Sequence, residues 1–153
     1  MPWLTTGALL TAAFVAQAIW GWRWEWLSGL QESELYKQLS GLALVLFFLM
    51  QWRLSVARMG SASPTPRLLT LHRDLGALAP LLLYLHAISF GYAYIRAMSI
   101  AFLGLVALGL LQQPLARLNS NRLNTAWLVV HVTLATALPF FIGYHAFNAF
   151  YYE

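Results

Sequence analysis

The sequence predicts an all-α membrane protein with five transmembrane helices, and three observations predict it. Hydrophobic residues make up 60% of the chain and charged residues 9%, where a soluble globular domain carries about 25% charged residues. Five apolar stretches of membrane-crossing length alternate with short polar segments, at about 4–20, 35–56, 71–94, 98–115 and 125–150, in one domain over 1–153. The chain has four histidines, and they fall as two pairs of equal spacing. His72 and His86 lie on the third stretch and His131 and His145 on the fifth, each pair fourteen positions apart.

Composition also excludes. With no cysteine, structural disulfides, cysteine-ligated iron–sulfur clusters, thiolate zinc sites and covalent haem attachment through Cys-x-x-Cys-His are ruled out. The net charge of +4 reads as a topology signal carried by loops, and no nucleic-acid partner is expected.

In chain order, MPWLTTGALL lacks the basic region of a cleavable signal and reads as the start of the first helix. That helix ends in Trp20, Trp22, Trp24 and Trp26, an aromatic belt of the kind found at headgroup level. The polar connection SGLQESELYKQ follows, with Glu32, Glu34 and Lys37. On the second helix, Gly41 and Ala43 are small enough to admit a neighbouring helix or a flat cofactor. Met59–Pro66, with GSASPTP at its centre and Arg58 and Arg67 flanking it, carries clear breaker chemistry. The third helix is expected to run to Tyr94 and to be joined to the fourth by a turn at Ile95–Ala97 containing Arg96. The polar segment RLNSNRLN precedes the fifth helix, with Asn124 or Thr125 expected as its N-cap.

Five spans place Arg53, Arg58, Arg67, Arg73, Arg117 and Arg122 on one side with Asp74. Arg23, Lys37 and Arg96 fall on the other with Glu25, Glu32, Glu34 and Glu153. Six basic residues against three predict a cytoplasmic N-terminus and an outside C-terminus in the inner membrane. The third and fifth helices then run in the same direction. They also share the pattern H-x7-P-x5-H-A, with Pro80 and Pro139 at matching positions.

Fourteen residues at about 100° each come within about 40° of whole turns, so the two histidines of a pair share one helix face. They are separated by roughly 21 Å along the axis, within a hydrocarbon core of about 30 Å. Each pair therefore marks two levels in the membrane. A single histidine here reads equally well as a hydrogen-bonding residue between helices. Four in two matched pairs favour function, since ionisable groups at membrane depth are expensive. Two axial imidazoles suit haem iron, and a flat macrocycle fits between helices. Zinc or copper would need further ligands. Two histidines of one helix cannot clamp one iron across that distance. The expected pairs are His72 with His131 at the inner face and His86 with His145 at the outer face, giving two haems b between helices three and five.

On these residues, His72-Arg73 through His86 and His131 through His145, the chain is similar to the ferric reductase-like transmembrane domain. Ferric reductases, NADPH oxidases and the haem-binding membrane subunit of a bacterial methionine sulfoxide reductase system share that domain. The resemblance covers essentially the whole chain, although only the histidine helices are diagnostic. It implies two stacked haems on the third and fifth helices and a role in electron transport. Family members usually have a sixth helix, and the reductases and oxidases continue into a flavin and nicotinamide domain. Here the sequence stops after the fifth stretch and has no Gly-rich phosphate-binding loop. The expected electron donor and acceptor are therefore separate: a flavoprotein, a quinol-linked or extracytoplasmic protein, or a larger complex.

No catalytic residue is assigned, and the chain is expected to be the electron-transfer subunit of an oxidoreductase system. Arg73, with Arg67 and Arg122, is a candidate for the inner haem's propionates, or equally a topology charge. Arg96 is the candidate at the outer haem. Trp127, Tyr84, Tyr144 and Phe140 are candidates for packing on a macrocycle or for ordinary helix packing. Gln112, Gln113 and Asn148 are candidates for a quinone site. Two rival functions stand beside this one: a quinol-linked membrane anchor subunit of a respiratory oxidoreductase complex, and a metal-ion transporter. Transport paths usually include acidic residues and broken helices, and Asp74 is the one acidic residue placed near a histidine.

Overall fold

The computed structural model describes residues 2–59 and 65–151. The centre of the predicted breaker segment, 60–64, and the predicted outer residue Glu153 lie outside the described residues. Six α-helices follow in order: α1 (Pro2–Trp20), α2 (Glu25–Glu32), α3 (Glu34–Met59), α4 (Pro66–His86), α5 (Ala93–Arg117) and α6 (Asn121–Tyr151). All but α2 are long and apolar enough to cross a membrane. The predicted class, an all-α membrane protein of five spans, is the observed one. Large apolar side chains such as Leu9, 70% exposed, and Phe140, 76% exposed, point outward, as a lipid-facing surface requires.

The chain divides into two compact units, Met1–Ile88 and Ser89–Glu153. In the first, α1 and α4 run parallel. Arg73 near the start of α4 lies over the Trp3 ring at 5.0 Å, and Gln17 near the end of α1 donates to the Ile88 carbonyl at 3.3 Å. α3 is antiparallel to α4, since its early Ser40 meets His86 and its later Gln51 meets His72. In the second unit α5 and α6 are antiparallel. Trp127 Nε1 donates to the Leu108 carbonyl at 2.7 Å, and Asn148 Nδ2 donates to the Tyr94 hydroxyl at 3.4 Å. Mid-helix packing is tightest at Pro80 on α4 and Leu138 on α6, the largest fully buried side chains. Each falls between the two histidines of its helix. In lipid such contacts hold helices together by close packing, because hydrocarbon outside is as apolar as leucine.

Three sequence expectations change. The third span ends at His86, not near Tyr94, and residues 87–92 are not helical. Apolar character continues through Phe90, Tyr92 and Tyr94, which hides the break from hydropathy. The backbone breaks at Gly91, with φ of +70°. A Cβ there would lie 2.6 Å from Ile95 Cγ2, so glycine is required. α5 consequently starts at Ala93, and Arg96 sits in its first turn instead of in a connecting turn. The polar connection also contains a helix. α2 buries Leu27 and Gln31, four residues apart on one face, while Trp26 and Leu30 remain exposed. Glu25 in its first turn favours the positive helix terminus. Finally, α6 begins at Asn121, four residues before the expected start. There the Ser120 hydroxyl accepts from the Leu123 N–H at 3.5 Å and the Ser120 carbonyl from the Asn124 N–H at 3.0 Å.

Candidate functional site

α4 is built to present two histidines. Thr65 caps its N-terminus by accepting from the Leu68 N–H at 3.3 Å, and Pro66 opens the first turn, both favoured at a helix start. At the other end the last carbonyls lack intrahelical donors, and side chains supply them. Gln31 of α2 donates through Nε2 to the Tyr84 and Leu85 carbonyls at 2.9 and 3.0 Å. The Tyr36 hydroxyl donates to the Leu85 carbonyl at 2.9 Å. These contacts fix the last turn of α4, whose final residue is His86. Sequence reading assigned no role to Gln31, Tyr36, Ser40 or Gln51. The eleven-residue spacing of Ser40 and Gln51, about three turns, was the available signal that they share a face.

His86 lies half-buried against α3. Its Nδ1 is 3.0 Å from Ser40 Oγ. Gly41 is the close-approach residue: a Cβ there would lie 3.2 Å from His86 Cε1. What the small residue admits is thus the imidazole itself.

His72, also half-buried, meets α3 at Gln51. Its Nδ1 is 3.3 Å from the Gln51 backbone carbonyl. The Gln51 amide lies closer. With its nitrogen facing the ring, it donates to His72 Nδ1 at 2.8 Å and to the His72 carbonyl at 3.1 Å, and its oxygen accepts from the Gly76 N–H at 3.2 Å. The two contacts demand different imidazole tautomers: the carbonyl needs a proton on Nδ1, and the amide nitrogen needs a lone pair there. The shorter, doubly satisfied amide contact is the stronger one.

On α6 the histidines meet rings. Trp127, one turn before His131, stacks on it with centroids 5.2 Å apart and planes at 21°. Its indole N–H is held by the Leu108 carbonyl. Gly109 of α5 faces the same ring; a Cβ there would be 4.0 Å from His131 Cε1. Tyr94 of α5 lies 6.2 Å from the His145 ring and packs edge-on against Tyr144 at 4.9 Å.

The remaining sequence candidates divide. Arg73 pairs with Asp74 Oδ1 at 3.0 Å, with the two side chains 42% and 50% exposed, and also covers Trp3. Arg67, Arg96 and Arg122 are exposed. Of the aromatic candidates, Trp127 lies directly on a histidine, and Tyr84 lends its backbone carbonyl to Gln31. Asn148 is bonded to Tyr94. Gln112 is exposed, whereas Gln113 Oε1 is buried and meets no donor among the described residues. No family model matches the chain, and neither a curated protein nor a solved structure matches it.

Proposed function

We propose that this chain is a dihaem b-type membrane cytochrome, ferric reductase-like, that carries electrons across the bilayer between a separate donor and a separate acceptor. The observation that carries this is the pair of fourteen-residue histidine spacings on two helices of membrane-crossing length. The surroundings of the four rings fit such a cofactor. Each ring is half-buried and packs against a neighbouring helix. Glycine lets the neighbouring helix approach two of them closely, Gly41 at His86 and Gly109 at His131. Ligating histidines usually donate their second ring N–H to a hydrogen-bond acceptor, and His86 Nδ1 has one on α3, the Ser40 hydroxyl.

In this reading His72 and His131 hold the inner haem and His86 and His145 the outer one. A bound haem supplies a one-electron ferric/ferrous couple. The protein's part is to hold the rings in place on helices of apolar, membrane-crossing length. Trp127, clamped by its own hydrogen bond, fixes the plane of His131. Arg73 is the residue nearest the inner ligand with a charge to offer a propionate, and recruiting it would mean drawing it from Asp74. Arg96, on the exposed first turn of α5, takes the corresponding place at the outer haem.

The donor on the inner side is a cytoplasmic flavoprotein, drawn by the arginines of the two predicted inner loops, which also suit anionic headgroups. A quinol is the second reading for the donor. The buried Gln113 oxygen favours it, since a quinol hydroxyl would supply the donor that this acceptor needs.

A reduced-minus-oxidised spectrum with pyridine haemochrome quantitation of the purified protein tests the proposal. The expected result is a b-type signal at two haems per chain. The loaded protein should stay oxidised with NADH or NADPH alone and be reduced once a flavin reductase or a quinol is added. A chain that carries no b-type haem would refute the proposal.

A further inference from the structure

On the footing that the histidines carry haem, we propose that Ser40 is a positioning residue that selects the His86 tautomer needed for coordination through Nε2. Ser40 Oγ lies 2.7 Å from the Tyr36 carbonyl and 3.2 Å from the Lys37 carbonyl, and 3.0 Å from His86 Nδ1. A hydroxyl has one proton and two lone pairs. Both carbonyls are acceptors only, so the Ser40 proton goes to Tyr36. Were it turned towards His86, two oxygens with no hydrogen between them would face each other at 2.7 Å. The lone pair left on Oγ then accepts from His86, which places the imidazole proton on Nδ1 and the ring lone pair on Nε2. Gly41 completes the arrangement by letting the helix carry Ser40 up to the ring. The bond also gives the ligand more imidazolate character, which favours ferric iron. At His72 the opposing Gln51 amide donates to Nδ1, which favours the opposite tautomer. Ser40 is therefore specific to one of the two sites.

The test uses the haem-loaded full-length chain and compares Ser40→Ala, Ser40→Cys and Ser40→Thr with the wild type. Haem transfer to apomyoglobin reports retention, and a spectroelectrochemical titration reports the two midpoint potentials. In Ser40→Ala, one haem should dissociate roughly 10–100-fold faster and its midpoint should rise, with the other haem unchanged. The affected haem should be the one lost in His86→Ala. Ser40→Cys, which keeps the side-chain shape but is a weak acceptor, should move both values in the same direction by less, and it carries the test if the alanine variant does not fold. Ser40→Thr should restore both values. Unchanged retention and potentials in the alanine and cysteine variants, in a protein whose wild type holds two haems, would overturn the role of Ser40 and leave the haem assignment standing. An effect on the haem lost in His72→Ala would also overturn it. A wild type without haem would instead remove the footing itself.

Discussion

The C-terminal end of α4 gives its histidine a proton acceptor, and the histidine fourteen residues earlier meets a proton donor. His86 ends the helix, with its last carbonyls bound by Gln31 and Tyr36 and its Nδ1 held by a serine whose own proton is already committed. His72 sits inside the helix beside an amide that donates to its Nδ1. The two residues are alike in type, burial and helix, so sequence alone presents them as equivalent sites. The difference arises from α3, which brings a hydroxyl to one and a carboxamide to the other. It teaches that a repeated motif fixes where histidines stand along a helix, while the neighbouring helix decides which hydrogen-bond partner each one meets.

The most severe way to break this comparison is Gly41→Val. A Cβ at Gly41 already reaches 3.2 Å from His86 Cε1, and the two methyls beyond it must displace the ring, an overpacking that costs about 1–3 kcal/mol. Haem content should fall from two to one per chain, with the haem at the His72 end retained. Loss of both haems, or of neither, would mean that the two ends are not separable.

Gln51→Glu should sharpen the contrast by making the His72 end behave like the His86 end. A carboxylate accepts and cannot donate, so it favours a proton on Nδ1 and a lone pair on Nε2. Haem dissociation from the His72 end should slow about tenfold in transfer assays, with no change at the other end. Faster loss from the His72 end would show that the amide does not govern that ring.

The smallest effects concern the helix termini. Gln31→Leu strips donors from the half-buried Tyr84 and Leu85 carbonyls, although Leu85 keeps Tyr36. It should cost about 1–3 kcal/mol. Thr65→Ala removes one exposed N-cap and should cost about 1 kcal/mol. Thermal unfolding in detergent should therefore rank Gln31→Leu as the more damaging, and only that change should also loosen the haem at the His86 end. Equal loosening of both haems by the two variants would remove the distinction between the ends.

Much of the fold was legible because hydropathy reports directly on membrane spans, and the histidine positions were legible because fourteen residues return to one helix face. The termination of α4 was not, because Phe90, Tyr92 and Tyr94 continue the apolar character past the point where Gly91 turns the backbone. The glycine in Ser89-Phe90-Gly91 was the available clue. α2 was missed because Glu25, Glu32 and Glu34 make the segment look like a polar loop. Its amphipathic logic depends on Leu27 being buried and on Gln31 reaching α4, which is tertiary information. The roles of Ser40 and Gln51 were invisible for the same reason: a serine and a glutamine within an apolar helix acquire meaning only from what lies opposite.

The central proposal, which rests on the matched histidine spacings in the sequence, is that His72 pairs with His131 and His86 with His145. Haem content and midpoint potentials of His72→Ala, His131→Ala and the double variant test it most directly, with His86→Ala and His145→Ala as the matching set. His72→Ala and His131→Ala should abolish the same redox transition, and the double variant should still hold one haem per chain with the remaining transition unchanged. Removal of different transitions by His72→Ala and His131→Ala, or loss of all haem in the double variant, would contradict it.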